Sequence, residues 1–409
     1  MPDLRSLLER ESRTVEAPDD FERLVRRRDR RQRNRRIGTA ALAIVLAGLA
    51  IGVAVRAFEG FERRTPADGS SVAPVVTPLL ACPPGSTPNE PGPMDQARPP
   101  GRLVQMAFDR GSGRIVVLAP RVDGSSSTWT FDVCSNTWKR MDPPASPTSE
   151  AAGWVQLAYD GASARTIATS GFASDVWTYD VDTDQWSRAT EVPVDGVFRL
   201  VPDPVSGRVL FMSLDHGELW AYDVVADTWT EIQLEGTPLF GATADHNLFA
   251  YDASVDRIVM HDGDGGSGWP SGDRTGLLDP RTGVWTPIHT ATPEVNTGFI
   301  ASGGEIAYDE AAERTVVFSD GLVIAFDATA GRWETLDGKE QERCCGYGPQ
   351  HRLGHWMVYD PLNERLVVYG GQYRTPDGWV KANDVWAFDV ATRTWLQLLA
   401  PSELPGATD

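Results

Sequence analysis

The stretch "DVWAFDVATRTW", Asp384 to Trp395, decides how this chain folds, because the chain writes it almost twice. Far upstream stands "DVWTYDVDTDQW", Asp175 to Trp186. Six segments share its core, an apolar run that ends in Asp with a Trp six residues later. The pairs are Asp132 and Trp138, Asp180 and Trp186, Asp223 and Trp229, Asp279 and Trp285, Asp327 and Trp333, and Asp389 and Trp395. A second pattern precedes each copy, an apolar run ending in Asp with an Arg five residues on. Those pairs are Asp109 and Arg114, Asp160 and Arg165, Asp203 and Arg208, Asp252 and Arg257, Asp309 and Arg314, and Asp360 and Arg365. Either pattern once carries no information. Six interleaved copies of both mark a tandem repeat.

Each unit holds two short runs rich in Val, Ile, Phe and Tyr around the first turn, and two more around the second. Such runs read as strands joined by tight hairpins. The first turn recurs every 43 to 57 residues. Four strands at that period predict a propeller blade, and six units predict an all-β, six-bladed propeller of four-stranded blades over residues 101–398. The repeated Asp and Arg read as ties between each turn and its neighbouring strand, and the repeated Trp as packing between blades. These are scaffold roles, because a unique ligand needs residues that differ from blade to blade.

The last unit keeps a double glycine in "VVYGG" (Gly370, Gly371) ahead of "NDVWAFDVATRTW", and opens with "RLGHWMVYD" (Arg352, Gly354, His355). These features resemble the kelch repeat and the central propeller of galactose oxidase. Elsewhere the double glycine is gone: Ala119-Pro120, Ser170-Gly171, Asp215-His216 and Ser319-Asp320 stand near that point. The resemblance implies a divergent kelch-like propeller and carries the fold rather than an activity. The copper chemistry of galactose oxidase needs Tyr and His ligands with a thioether Cys, and none of those positions can be matched here.

The chain ahead of the repeats has a different character. From Ile37 to Val55 run 19 residues without a charge. At about 1.5 Å per residue that nearly crosses a hydrocarbon core of roughly 30 Å. "RRRDRRQRNRR", Arg26 to Arg36, precedes it. The positive-inside rule then predicts a single-pass anchor over 37–57 with residues 1–36 as a cytoplasmic, Arg-rich stub and the propeller outside the cell. A cleaved signal peptide is the competing reading. The long basic region, the length of the apolar run and the lack of an A-x-A site argue against it. Gly48 and Gly52 form a GxxxG spacing through which two such helices could dimerise. The stub resembles the N-terminal ends of many actinobacterial membrane proteins, some of them anti-sigma-like regulators. Residues 58–100 are dense in Pro, Gly and Ser and read as a linker, and 399–409 as a tail.

Formal net charge is −19. Residues 1–64 carry a net +5 and the remainder a net −24. So acidic a body repels phosphate backbones, which excludes nucleic acid as a partner.

In an up-and-down blade the strand 1–2 and 3–4 turns leave on one face. The 2–3 loops and the links between blades leave on the other. Both constant-length turn families fall on the first face, so every long or variable loop falls on the second, the expected working face. The histidines His216, His246, His261, His289, His351 and His355 map there or to strand ends beside it. The loop 261–276 sets Asp262, Asp264 and Asp273 among glycines beside Trp269, a weak calcium candidate because the loop motif breaks at Gly266 and no Glu follows. No other cofactor is expected. The segment 371–384 offers Tyr373, Arg374, Trp379 and Lys381, aromatics beside cations that suit a sugar or a protein partner. The longest link, 338–356, adds Tyr347 and His351. Four cysteines outside the cell predict disulfides. Cys82 in the linker and Cys134 in a first-face turn of the first blade favour each other, leaving Cys344 and Cys345 as a vicinal pair or as free thiols.

The chain has no G-x-S-x-G elbow, no H-E-x-x-H and no phosphate loop. The expected function is therefore recognition of a protein or glycan through the long-loop face. The alternatives are a cell-surface carbohydrate-active enzyme (hydrolase, lyase or oxidase) and a transmembrane sensor with a regulatory stub.

Overall fold

The computed structural model describes residues 81–101, 104–121, 124–147, 155–169, 174–214, 216–235, 247–262, 275–288, 304–319, 321–338 and 348–402. The expected stub and membrane span lie outside the described residues. No helix among the described residues is long and apolar enough to cross a membrane.

Among the described residues, twenty-five strands form six antiparallel sheets. Blade 1 holds β1 (Gln105–Asp109), β2 (Arg114–Pro120), β3 (Ser126–Asp132) and β4 (Thr137–Arg140). Blade 2 holds β5 (Gln156–Asp160), β6 (Arg165–Thr169), β7 (Val176–Asp180) and β8 (Gln185–Arg188). Blade 3 holds β9 (Phe198–Asp203), β10 (Arg208–Ser213), β11 (Leu219–Asp223) and β12 (Thr228–Ile232). Blade 4 holds β13 (Asn247–Asp252), β14 (Arg257–Asp262), β15 (Thr275–Leu278) and β16 (Trp285–Ile288). Blade 5 holds β17 (Glu305–Asp309), β18 (Arg314–Ser319), β19 (Leu322–Asp327) and β20 (Arg332–Asp337). Blade 6 holds β21 (Leu353–Asp360), β22 (Arg365–Thr375), β24 (Val385–Asp389) and β25 (Thr394–Leu399), with β23 (Gly378–Lys381) paired to the end of β22 alone. Each blade is a meander in which strands pair in chain order. The first strands β1, β5, β9, β13, β17 and β21 touch one another in sequence, and β21 meets β1 to close the ring. They are the innermost strands and line the axis.

The repeated residues explain the first face. The turn Asp accepts backbone N–H bonds from residues two and three positions on, as Asp132 does from Cys134 (2.9 Å) and Ser135 (3.1 Å). Each four-residue loop then ends in a left-handed residue at the fourth position after Asp. That residue is Gly in four of the turns, and Asn136, Ala164, Asp184, Asp227, Asp256, Glu313, Glu364 and Arg393 in the rest. In blades 2, 4 and 5 the first-turn Arg reaches the Asp of the second turn in its own blade. Arg165 lies 2.9 Å from Asp180, Arg257 3.0 Å from Asp279 and Arg314 3.0 Å from Asp327. The Trp of each second turn leans on the preceding blade. Trp186 Nε1 donates to Thr128 Oγ1 of blade 1 at 2.9 Å, Trp333 to Thr275 Oγ1 of blade 4 at 2.8 Å, and Trp138 packs on Tyr369 of blade 6 at 4.8 Å. Apolar cores lie between the sheets accordingly, such as Met106, Val117, Phe131, Val367 and Leu398 between blades 1 and 6.

Blades 1 and 6 are the two ends of the repeat, and among the described residues no strand is exchanged between them. A strap, residues 82–101, fastens them instead. Its start is bonded by the Cys82–Cys134 disulfide to a blade 1 turn, the pairing favoured from sequence. Gly92 N donates to Leu398 O of blade 6 at 2.8 Å, and Asn136 Nδ2 of blade 1 donates to Pro88 O and Glu90 O at 2.8 Å each. Tyr369 Oη donates to Pro99 O at 2.6 Å, and Gly371 N donates to Gly101 O at 2.6 Å. That crossing accounts for the one double glycine kept intact. Gly370 has φ +75°, and a Cβ there would sit 2.3 Å from Gly101 O. So the part of the expected linker from Cys82 onward is a closing strap.

Candidate functional site

The six innermost strands share a pattern that the turn motif hides. Two residues before each first-turn Asp the side chain is small: Ala107, Ala158, Val201, Ala250, Ala307 and Val358. All six line one axial cavity of about 690 Å³. Small side chains at one level of every blade leave the axis open, where larger ones would fill it. The cavity reaches the first face, where Arg110 of the blade 1 turn and Glu310 of the blade 5 turn form a two-bonded ion pair. Below that rim Tyr159 Oη accepts from Gly111 N at 3.0 Å and Tyr359 Oη accepts from Ala311 N at 3.1 Å, each tying its blade to the one before.

Towards the second face the blades diverge. Four residues before the Asp stand Gln105, Gln156, Arg199, Leu248, Glu305 and Trp356, and Asn247 precedes Leu248. Gln156, Arg199, Asn247 and Glu305 line the cavity from blades 2, 3, 4 and 5. Arg199 Nη1 donates to Gln156 Oε1 at 3.3 Å. Met106, Trp356 and Met357 form the wall on the side of blades 1 and 6, with Trp356 Nε1 donating to Met106 O at 3.0 Å. Burial pushes the Glu305 carboxyl up to about 8 from 4.5, against an opposing pull from the Arg199 guanidinium.

This shift has a sign that can be measured. The fold holds Glu305 neutral, while the unfolded chain releases that proton near its ordinary value. Stability therefore falls as pH rises from 4.5 towards 8. Glu305→Gln removes the loss. Its stability advantage over the wild type should grow across that window to about 2 kcal/mol at alkaline pH, short of the full linkage value because the group keeps access to the channel. Urea midpoints at acid and alkaline pH measure this; an advantage independent of pH rejects it.

The residues expected from sequence on the second face are described only in part. Trp269, Tyr347, Asp264, Asp273, Cys344 and Cys345 lie outside the described residues, as do His246 and His289. Of the calcium candidates Asp262 alone is described, at the end of β14 opposite Asn247. Among the described residues no three His, Cys, Asp or Glu side chains converge as metal ligands.

Tyr373, Arg374, Trp379 and Lys381 share one element. Their segment continues β22 beyond the blade and returns as β23, so it is a two-stranded hairpin rather than a loop. Arg374 pairs directly with Trp379, Tyr373 with Val380 and Gln372 with Lys381. Arg374 and Trp379 therefore share one face of the ribbon and Tyr373 the other. Trp379 is 55% exposed and Val380 beside it 38%. His351 is half-buried against blade 5, where a Cβ on Gly321 would meet its ring at 3.1 Å.

Two histidines of the second-face group serve the core. His355 is buried, its Nε2 3.1 Å from Phe318 O of blade 5, and burial lowers its pKa to about 3, so it stays neutral. His261 is buried with Nδ1 3.0 Å from Thr275 Oγ1 and its ring against Trp333. Arg352 is buried in a two-bonded pair with Asp384, at 2.7 and 3.0 Å.

No protein-family model and no curated protein matches this chain. Solved structures do. A fungal alcohol oxidase of the AA5 family, in complex with copper, superposes with a TM-score of 0.50 at 15% identity, over 78% of this chain and 69% of that one. YjhT gives 0.49 at 12% identity, over 74% of this chain and 99% of that one. At such identities the likeness shows the fold alone, a six-bladed propeller of four-stranded blades.

The channel residues escaped the sequence reading, although a signal for them exists. Once the six Asp residues are aligned, Gln, Gln, Arg and Glu interrupt a column that a scaffold would fill with apolar residues.

Proposed function

We propose that this chain is a membrane-tethered binding propeller, anchored through residues 37–57 with its N-terminus in the cytoplasm, that recognises a protein or glycan outside the cell through its long-loop face. The projecting hairpin of β22 and β23 carries this reading. Among the exposed large apolar side chains of the described residues, Trp379 and Val380 are consecutive on it, one on each face of the ribbon. Blade 6 adds a ribbon to its four-strand plan, in which β23 pairs with the end of β22 alone, and such an extension presents surface to another molecule. Trp379 beside Arg374 supplies a stacking plane with a cation, a combination enriched at binding hot spots. Arg374 and Lys381 stand on an otherwise acidic body, which favours an acidic partner surface.

The test is a glycan and extracytoplasmic-protein binding screen with the full chain, repeated with Trp379→Ala. The substitution should cost about 2 kcal/mol of binding, roughly thirtyfold in Kd, with the melting temperature unchanged. Equal binding by both proteins would remove the hairpin from the recognition surface.

A further inference from the structure

The second candidate site is the axial channel, separate from the hairpin, and its chemistry is two-sided. Asn247 is 1% exposed, lines the cavity, and has a hydrogen-bond partner for neither Nδ2 nor Oδ1. An unmet buried polar group costs about 1–3 kcal/mol, so the fold alone gains nothing from an amide there. An apolar side chain at that point would avoid the cost, as Leu248 and Phe249 next to it do. Gln156 of blade 2 and Glu305 of blade 5, each one position nearer the first turn than Asn247, extend the hydrogen-bonding arc. Across from them Met106, Trp356 and Met357 present an apolar wall with an indole. The volume, about 690 Å³, lies in the range of small-molecule sites.

A hydroxyl both donates and accepts, so a row of hydroxyls can meet the donor and the acceptor of Asn247 together. A molecule with hydroxyls along one edge and C–H groups on its other face matches both walls at once. We infer that the channel binds a small polyhydroxylated molecule of mono- to disaccharide size, its hydroxyls on Gln156, Asn247 and Glu305 and its C–H face towards Trp356 and Met357. The six small side chains above this level, Ala107 to Val358, give it a path from the first face. The partly exposed Arg110–Glu310 pair lies at the first-face end of that path and has to part for a ligand to enter there.

The experiment is calorimetric titration of the full-length protein with glucose, mannose, myo-inositol and maltose. At least one probe should bind saturably with one-to-one stoichiometry. Asn247→Leu should weaken it at least tenfold while the melting temperature of the unliganded protein holds or rises, because two unmet polar groups are removed. Gln156→Leu, in a different blade, should also weaken it at least tenfold, which keeps the test decisive if one variant misfolds. Trp379→Ala should leave it unchanged, so that a failure of this site and a failure of the hairpin reading are told apart. Absence of saturable binding by every probe, or binding unaltered in both channel variants, overturns the inference.

Discussion

Replacing Cys82 and Cys134 together by serine should destabilise the propeller by about 4 kcal/mol, a large part of the roughly 5–15 kcal/mol that holds an ordinary domain. The bond closes a loop with a sequence separation of 52, and constraining the unfolded chain over that length accounts for the figure. Its location adds to the effect. Every other pair of neighbouring blades is joined by the chain itself. Among the described residues, blades 1 and 6 meet through contacts and through the strap, which the disulfide anchors to the blade 1 turn. Denaturation with and without reductant measures the loss. The reduced wild type should behave as the double serine variant does. A loss below about 1 kcal/mol would show that the strap holds by its hydrogen bonds alone.

Arg365→Ala should cost about 3–5 kcal/mol, the range for breaking a buried ion pair by removing one partner. In blades 2, 4 and 5 the corresponding Arg is partly exposed and bridges two turns of its own blade. Arg365 is buried and works across the seam. Its Nε donates to Asp360 Oδ2 at 3.0 Å, Nη1 to Pro88 O of the strap at 2.7 Å, and Nη2 to Val133 O of blade 1 at 3.1 Å. One guanidinium therefore joins the last blade, the strap and the first blade. Removing it also leaves Asp360 buried, where burial already raises its pKa. Arg365→Lys should recover little, since one ammonium cannot span three acceptors in the geometry of a planar fork. Arg165→Ala, at the same repeat position in blade 2, should cost under about 1 kcal/mol. Equal losses at the two positions, read from urea midpoints, would show that the seam is no more dependent on its Arg than an ordinary blade.

The contrast between those two arginines marks where sequence reading stops. Asp, Arg and Trp recur at fixed spacing because each hairpin loop needs the same Asx-type turn, the same left-handed residue before the second strand, and the same indole against the preceding blade. Local geometry repeats, so residues repeat, and six blades of four strands were legible from "DVWAFDVATRTW" outward. The disulfide was legible too, because the blade plan put Cys134 on the face where the linker arrives.

What is particular to one blade was harder to read. The motif around Arg365 is the common one, and only its burial beside the strap gives it a different partner. Gly370 and Gly371 look like a family remnant until Gly101 is seen lying against them. The segment 371–384 reads as a loop because Pro376, Asp377 and Gly378 dominate it, yet Gln372–Thr375 and Gly378–Lys381 pair as a ribbon. His355 and His261 read as second-face residues, and packing between blades buries both.

By itself, then, the sequence determined the blade, its turns, the number of repeats and the acidic body, because these follow from hydrogen-bonding and packing rules that act within a few dozen residues. The tertiary structure alone decided what the ring does with them. Closing six blades brings residues hundreds of positions apart to one axis, where Gln156, Arg199, Asn247 and Glu305 share a wall. No local pattern encodes that meeting, since it exists only once the circle is complete.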